Sequence, residues 1–120
     1  VIMGTGLPRR QFIYSKDLAK IIVRLVEENI YEPLLICSCP ESEETTIYQA
    51  AKWIAGQFGI EKVVASELKS QNTENDGQQV KTASPARLLS LFPDFQFTQL
   101  ENGIQETVQW FKNNYPNVRM

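Results

Sequence analysis

Two stretches of this chain carry residues whose types and spacing could do chemistry. The first is Gly4-Thr5-Gly6-Leu7-Pro8-Arg9-Arg10, two glycines and a proline ahead of paired guanidinium groups, running into the apolar Phe12-Ile13-Tyr14. A turn that delivers a guanidinium to the edge of a strand suits capture of a phosphate or carboxylate, because the planar fork donates paired, charge-assisted hydrogen bonds. The same residues also make an ordinary solvated turn with two surface arginines, and taken alone they favour that plainer reading. The second is Asp76-Gly77-Gln78-Gln79-Val80-Lys81, a turn, a carboxylate and a lysine just ahead of Ser84-Pro85. An aspartate in such a turn accepts hydrogen bonds from sugar hydroxyls, and a lysine near a helix entry meets a phosphate as a point charge. A capped surface loop explains these residues equally well.

Other candidate chemistries fail on spacing. Gly4-x-Gly6 lacks the third glycine of the dinucleotide fingerprint, since that position is Arg9. A strand also follows, where the fingerprint needs a helix N-terminus to hold the pyrophosphate. Tyr48 and Lys52 stand four apart on an expected helix, which puts both side chains on one face. That is the spacing of the catalytic pair of short-chain dehydrogenases, but only 47 residues precede Tyr48. Those are too few for the nucleotide-binding βαβ units that normally come first, so the match reads as a coincidence. Cys37 and Cys39 are the only cysteines and histidine is absent. Two thiolates do not complete a tetrahedral zinc site, and a disulfide across so tight a loop would be strained. They read as free thiols in or beside a buried strand. Without histidine the chain also lacks the usual general base. No catalytic and no metal-ligating residue is assigned.

At 120 residues, with 42% hydrophobic and 22% charged residues, the chain has the size of one ordinary domain and enough apolar surface for a core without staples. A net charge of −2, with no basic cluster longer than Arg9-Arg10, argues against a nucleic-acid partner. No apolar run approaches the roughly 20 residues of a membrane span, and no secretory signal opens the sequence. The expectation is a soluble, intracellular protein with no membrane partner. The first residue is Val1 rather than a methionine, which fits a chain that begins inside a longer protein or has been trimmed.

The elements that must position these residues follow from periodicity. Phe12-Ile13-Tyr14 reads as a short strand or its end, with Ser15 as a helix cap. From Asp17 an apolar stripe of Leu18, Ile21, Ile22, Leu25 and Val26 predicts a helix. The unalternating Leu34-Leu35-Ile36-Cys37 predicts a strand covered on both faces, as in a parallel sheet. Thr46 and Gln49 form a capping box ahead of a helix that Gly59 stops. Lys62-Val63-Val64-Ala65 is a further strand candidate, and residues 70–79 read as an exposed polar loop. Ser84-Pro85 opens a helix that buries Leu88, Leu89 and Phe92. Thr98 and Glu101 suggest a capping box for a last helix bearing Leu100, Ile104, Val108, Phe111 and Tyr115. The order β-α-β-α-β-loop-α-α is that of an α/β chain.

Taken together, Met3 to Ala19, Asp76-Gly77-Gln78-Gln79-Val80-Lys81-Thr82-Ala83-Ser84, residues 91–98 and residues 106–115 resemble the C-terminal part of the GDP-L-fucose synthases. These belong to the extended short-chain dehydrogenase/reductase family. The resemblance runs over nearly the whole chain, in order and without large gaps. It implies an α/β fold in which residues 1–40 form the last helix and strand of a Rossmann-type sheet with a substrate-binding turn, and residues 41–120 a small substrate-binding lobe. It implies a parent enzyme that converts GDP-4-keto-6-deoxy-D-mannose to GDP-L-fucose with NADPH, by epimerisation and then reduction. By position, Arg10 would bind the nucleotide-sugar diphosphate, Lys81 would support the same phosphates, and Asp76 would bind the substrate through hydroxyls. Met3 stands where the family usually has a tryptophan, and still supplies apolar surface. Cys37-Ser38-Cys39 replaces the usual Asn/Ser-Val-Gly.

The family's NADP site and reactive residues would lie upstream of Val1. The resemblance therefore implies a chain that is inactive alone and binds no cofactor alone. Its partners would be a GDP-sugar and the NADP(H)-binding N-terminal domain of the same protein, in a cytoplasmic homodimer. Two other readings stay open: the matching part of another sugar-nucleotide epimerase or dehydratase, and a non-catalytic binding module derived from one. The fragment reading also predicts an apolar patch, around residues 18–26 and 34–37, that leaves the isolated chain prone to self-association.

Overall fold

A computed structural model describes residues 1–66 and 76–118, and among them the chain forms four α-helices and a minimal sheet. Strand β1 (Arg9–Arg10) leads into helix α1 (Ser15–Glu27). A 3-10 turn (Glu41–Glu43) precedes strand β2 (Thr45–Thr46), and helices α2 (Ile47–Gln57), α3 (Ala86–Leu91) and α4 (Leu100–Asn114) follow. β1 and β2 are antiparallel, with Arg9 opposite Thr46 and Arg10 opposite Thr45. An isolated parallel bridge joins Arg9 of β1 to Val80, and another joins Ile2 to Ala65.

The helices lie where the periodicity puts them, and their ends have local causes. The Thr46 hydroxyl accepts the Gln49 N–H at 3.1 Å, which caps α2. α2 ends with Gly59 at φ +70°, with the Gly59 N–H bonded to the Gly56 carbonyl and the Ile60 N–H to that of Ala55. α1 ends in the same way, with Asn29 at φ +53° and the Ile30 N–H on the Leu25 carbonyl at 2.9 Å. Three expected caps are corrected. The cap of α3 is Pro85 rather than Ser84, with no side-chain bond, so the helix starts at Ala86. The cap of α1 is Tyr14, so that Ser15 is already helical. The cap of α4 is Gln99, with no side-chain bond. Thr98 does not form a capping box with Glu101, because both its N–H and its hydroxyl donate to the buried carboxylate of Asp17.

The strand expectations change more. Residues 12–14, 34–37 and 62–65 pair in no ladder among the described residues, apart from the single bridge at Ala65. The run 34–37 is covered on one side only: Leu35 and Cys37 pack against the core, while Leu34 is 77% exposed. The α/β class stands, but the described sheet has two strands, and no Rossmann-type parallel sheet is seen among the described residues. Residues 70–75 of the expected polar loop lie outside the described residues; residues 77–79 are exposed.

The core centres on Ile21 of α1 and on Leu88 and Phe92, which are fully buried at and just after α3. Ile13, Leu25, Leu35, Phe95 and Phe97 close around them. The Arg24 guanidinium lies 4.3 Å from the Phe92 ring centroid. A second contact joins α2 to α4, where Phe58 meets Phe111 edge-on with ring centroids 6.1 Å apart. The chain measures 50 × 36 × 23 Å, with a radius of gyration of 16.7 Å. A compact chain of this length has a radius of roughly 13–14 Å. Apolar side chains are left outside the core on α1, where Ile22 and Val23 are exposed and Val26 is 71% exposed.

Candidate functional site

The site grows from the turn that precedes β1. Gly4 and Gly6 take φ of +82° and +73°, a left-handed backbone that glycine adopts without penalty. Between them Thr5 is 6% exposed. Its N–H donates to Asp76 Oδ1 at 2.7 Å and its hydroxyl to Asp76 Oδ2 at 2.5 Å. The same hydroxyl oxygen accepts the Leu7 N–H at 3.1 Å. A clasp across 71 residues thus closes the glycine turn onto the second polar stretch. The Thr5 hydroxyl and N–H hold the Asp76 carboxyl below the usual carboxylate range, with Gln79 adding to the effect.

The clasp leads into β1, which sits between β2 and Val80. The Arg9 N–H donates to the Gln79 carbonyl at 2.8 Å, and Arg9 bridges Val80 in parallel. Side chains alternate across a strand, and neighbours in parallel register share a face. Arg9 therefore shares one face with Thr82, and Arg10 shares the other with Lys81. The first face closes on itself. The Arg9 Nε donates to Glu44 Oε2 at 3.1 Å, its Nη2 donates to the Glu44 carbonyl at 2.7 Å, and the Thr82 hydroxyl donates to Glu44 Oε1 at 2.7 Å. Thr82 first and Arg9 second hold the Glu44 carboxyl down.

The second face carries cations without a carboxylate among the described residues. The Arg10 guanidinium donates only to the neighbouring Arg9 carbonyl, at 2.6 Å, and has no carboxylate partner among the described residues. Lys81 is exposed and makes no ion pair with the described residues. Met3, 72% exposed, stands at the entrance of the turn. The structure therefore sets Arg10 beside Lys81 by register and ties Asp76 into the turn that Met3 opens. No hydrogen bond links these four residues directly among the described residues. The surface carries two cationic side chains side by side, an arrangement suited to an anion that does not by itself transfer protons.

Three residues of the site were not singled out from the sequence. Thr5 carried a weak signal, a short hydroxyl residue inside a glycine turn. Glu44 lies in a run that reads as a solvated acidic turn. Gln11 joins β1 to the segment at Ala83 and carried no signal at all. Tyr48 and Lys52 serve no shared chemistry here. The Tyr48 N–H donates to the Gly6 carbonyl at 2.9 Å, and its hydroxyl points to the Val63 carbonyl at 3.4 Å. Lys52 is exposed. Cys37 and Cys39 are free, and burial pushes both thiols up.

A separate concavity of about 560 Å³ lies between residues 12–15, α2 and α4, lined mainly by Phe12, Ile54, Phe58, Ile104, Val108 and Phe111. At its edge the Tyr14 hydroxyl and the Lys16 ammonium both donate to Glu106 Oε2, at 2.8 and 2.9 Å. Its lining is mainly apolar, with hydroxyls only from Tyr14, Ser15, Thr98 and Thr107 among the described residues. Among the described residues no three metal-binding side chains cluster, and no helix is long and apolar enough to cross a membrane.

Known proteins resemble the chain over nearly its whole length. It is 42% identical over 120 residues to a GDP-L-fucose synthase of Dictyostelium discoideum and 36% identical over 118 residues to a probable GDP-L-fucose synthase of Drosophila melanogaster. Each match covers 98% of this chain and 36% of the relative. Among solved structures, a GDP-L-fucose synthetase of Naegleria fowleri superposes with a TM-score of 0.85 at 36% identity, over 99% of this chain and 35% of that one. A form of that protein bound to NADP gives a TM-score of 0.83 at 34% identity, over 98% of this chain and 36% of that one. The chain thus spans just over a third of the length of the relatives it matches. No protein-family model matches it. The resemblance to GDP-L-fucose synthases drawn from the sequence holds over about 98% of the chain.

Proposed function

We propose that this chain is the GDP-sugar-binding, C-terminal part of a GDP-L-fucose synthase, and that it holds the diphosphate of the nucleotide sugar between Arg10 and Lys81. The observation that carries this reading is the division of labour along β1. Arg9 is engaged by Glu44, while among the described residues Arg10 has only a backbone carbonyl, on the face that register shares with Lys81. A diphosphate offers paired oxygens to the guanidinium fork and a second charge to the ammonium. Met3 gives apolar contact at the mouth of the turn. Asp76 accepts a substrate hydroxyl on the lone pairs that Thr5 leaves over, since a carboxylate has about four acceptor positions.

In this reading the whole enzyme converts GDP-4-keto-6-deoxy-D-mannose to GDP-L-fucose in the cytoplasm, as a homodimer. Residues 1–40 complete a Rossmann-type sheet with the rest of the protein, and residues 41–120 form the substrate lobe. NADP(H) supplies the hydride, and the chain's own residues do not fit it. The Gly4–Gly6 turn runs into strand β1, whereas the glycine-rich dinucleotide fingerprint holds its pyrophosphate at the N-terminus of a helix. The cofactor site and the proton-transferring groups therefore lie in the remaining two-thirds of the enzyme. The chain alone binds substrate and does not turn it over.

Calorimetric titration of GDP into the chain tests the proposal. A charge-assisted contact contributes about 1.5–3 kcal/mol, so Arg10→Ala should raise Kd roughly ten- to a hundredfold. Arg9→Ala should change it far less, because that guanidinium faces Glu44. Equal affinity in wild type and Arg10→Ala would refute the assignment.

A further inference from the structure

The pairing that sets Lys81 beside Arg10 rests on one parallel bridge, Arg9 to Val80. A single bridge defines register weakly, and a slip of one residue would turn Lys81 to the Glu44 face. Something beyond the backbone ladder must hold it. The residue after Arg10 does so. The Gln11 side-chain amide behaves as a strand residue would towards Ala83: its Nε2 donates to the Ala83 carbonyl at 2.8 Å, and its Oε1 accepts the Ala83 N–H at 2.6 Å. The other Nε2 proton goes to the Cys39 carbonyl at 2.7 Å. Turning the amide over would set an N–H against an N–H and an oxygen against two carbonyls, so the partners fix its orientation. Ala83 lies two residues beyond Lys81. The paired segments are thus pinned at one end by Gln11, with the Ser38 hydroxyl also donating to the Ala83 carbonyl at 3.2 Å, and clasped by Thr5 and Asp76 at the other.

We propose that Gln11 is a positioning residue whose side-chain amide fixes the register of residues 79–83 against β1, so that Lys81 stands beside Arg10 at the spacing a diphosphate requires. Gln11 does not touch the anion; it acts through Lys81. The inference rests on the diphosphate-binding reading for its purpose, and on the amide's own contacts for its geometry.

Gln11→Met keeps length and volume and removes all three hydrogen bonds. Amide exchange, followed by NMR on this chain, reads the register without any ligand. The Ala83 and Arg9 amides should lose about tenfold or more of their protection. GDP titration then reads the purpose. Kd should rise as much as in Lys81→Ala, and the double variant should be no worse than either single one, because both remove the same contact. A residue that only stabilises the fold would lower the melting temperature and leave the full effect of Lys81→Ala in place. Gln11→Glu is the second variant, for the case that Gln11→Met does not fold. It keeps the reach and sets a carboxylate oxygen against two carbonyls, and should weaken GDP binding in the same way. Unchanged protection at Ala83, additive effects of Gln11→Met and Lys81→Ala, or wild-type binding by Gln11→Glu would each overturn the proposal. Wild-type chain that binds no GDP would refute the diphosphate reading, and the exchange data would still decide whether Gln11 sets the register.

Discussion

Asp17 offers the sharpest test of how the fold is held. It is 0% exposed, its Oδ2 accepts the Thr98 N–H at 2.6 Å, and its Oδ1 accepts the Thr98 hydroxyl at 3.0 Å and the Lys20 ammonium at 3.2 Å. The carboxylate sits in the first turn of α1 and against the entry to α4, two places where helix dipoles favour a negative charge. Asp17→Asn keeps the shape and can keep one oxygen on the Thr98 N–H, but it turns charge-assisted bonds into neutral ones. The difference between the two kinds of bond gives a loss of about 1–2 kcal/mol, and Lys20 adds little because it is mostly exposed. For a chain of this size that is a drop of roughly 4–8 °C in Tm, measured by circular dichroism at neutral pH.

The pH dependence makes the test specific. Burial alone would push the Asp17 carboxyl up, but the bonds from Thr98 and Lys20 together outweigh it and hold the carboxyl below the usual carboxylate range. In the acid range the unfolded chain then binds the proton more readily, so stability rises with pH there. The contribution of Asp17 is complete above its unfolded value of about 3.9 and is lost as pH falls through the lower, native one. Other carboxylates held down, such as Glu44 and Asp94, impose the same acid slope on both proteins. The gap in stability between wild type and Asp17→Asn isolates Asp17, and it should close on acidification. A variant as stable as wild type at neutral pH, or a gap that stays constant into acid, would refute this account.

Two further outcomes follow. Gly6→Ala places a side chain on a left-handed backbone, at a cost of about 1–2 kcal/mol, and brings its Cβ to 3.1 Å from Tyr48 Cβ; Gly77→Ala has a similar φ and nothing within 4 Å, so chemical denaturation should show the first variant less stable than the second by the Tyr48 contact. The exposed apolar side chains of α1 and of residues 34–37, with Val26 71% and Leu34 77% exposed, should make the isolated chain self-associate; sedimentation should show an apparent mass that rises with concentration and falls in a Val26→Lys, Leu34→Lys double variant, and a monomer at every concentration would refute it.

The helices were legible because their apolar residues recur every three or four positions and their ends carry local signals. Thr46 caps α2, and Gly59 and Asn29 end α2 and α1 by adopting positive φ. The strands were not legible for a related reason. A short apolar run tells that a segment is partly covered, not what covers it. Residues 34–37 have the composition of a strand buried on both sides, yet only Leu35 and Cys37 meet the core. The missed cap of α4 has a distant cause. The Thr98 donors are taken by a carboxylate 81 residues away in sequence, and no local pattern announces so distant a partner.

The same limit decides how much of the site could be read. The residue types alone put Arg10, Lys81 and Asp76 in view, but nothing in Arg9-Arg10 distinguishes one guanidinium from the other. The distinction comes from Glu44, in a stretch that reads as a solvated acidic turn, which pairs with Arg9 on one face of β1 and leaves the opposite face to Arg10. Gln11 is harder still. Its amide is matched to a backbone 72 residues away, and glutamine at the end of an arginine turn has many ordinary uses. Chemistry-bearing residue types can be picked out one at a time, because each carries its own charge or hydrogen-bonding groups. Register is a relation between two segments, and the groups that fix it are backbone amides that every residue has. A site built by register therefore shows its cations in the sequence and hides the residues that set them side by side.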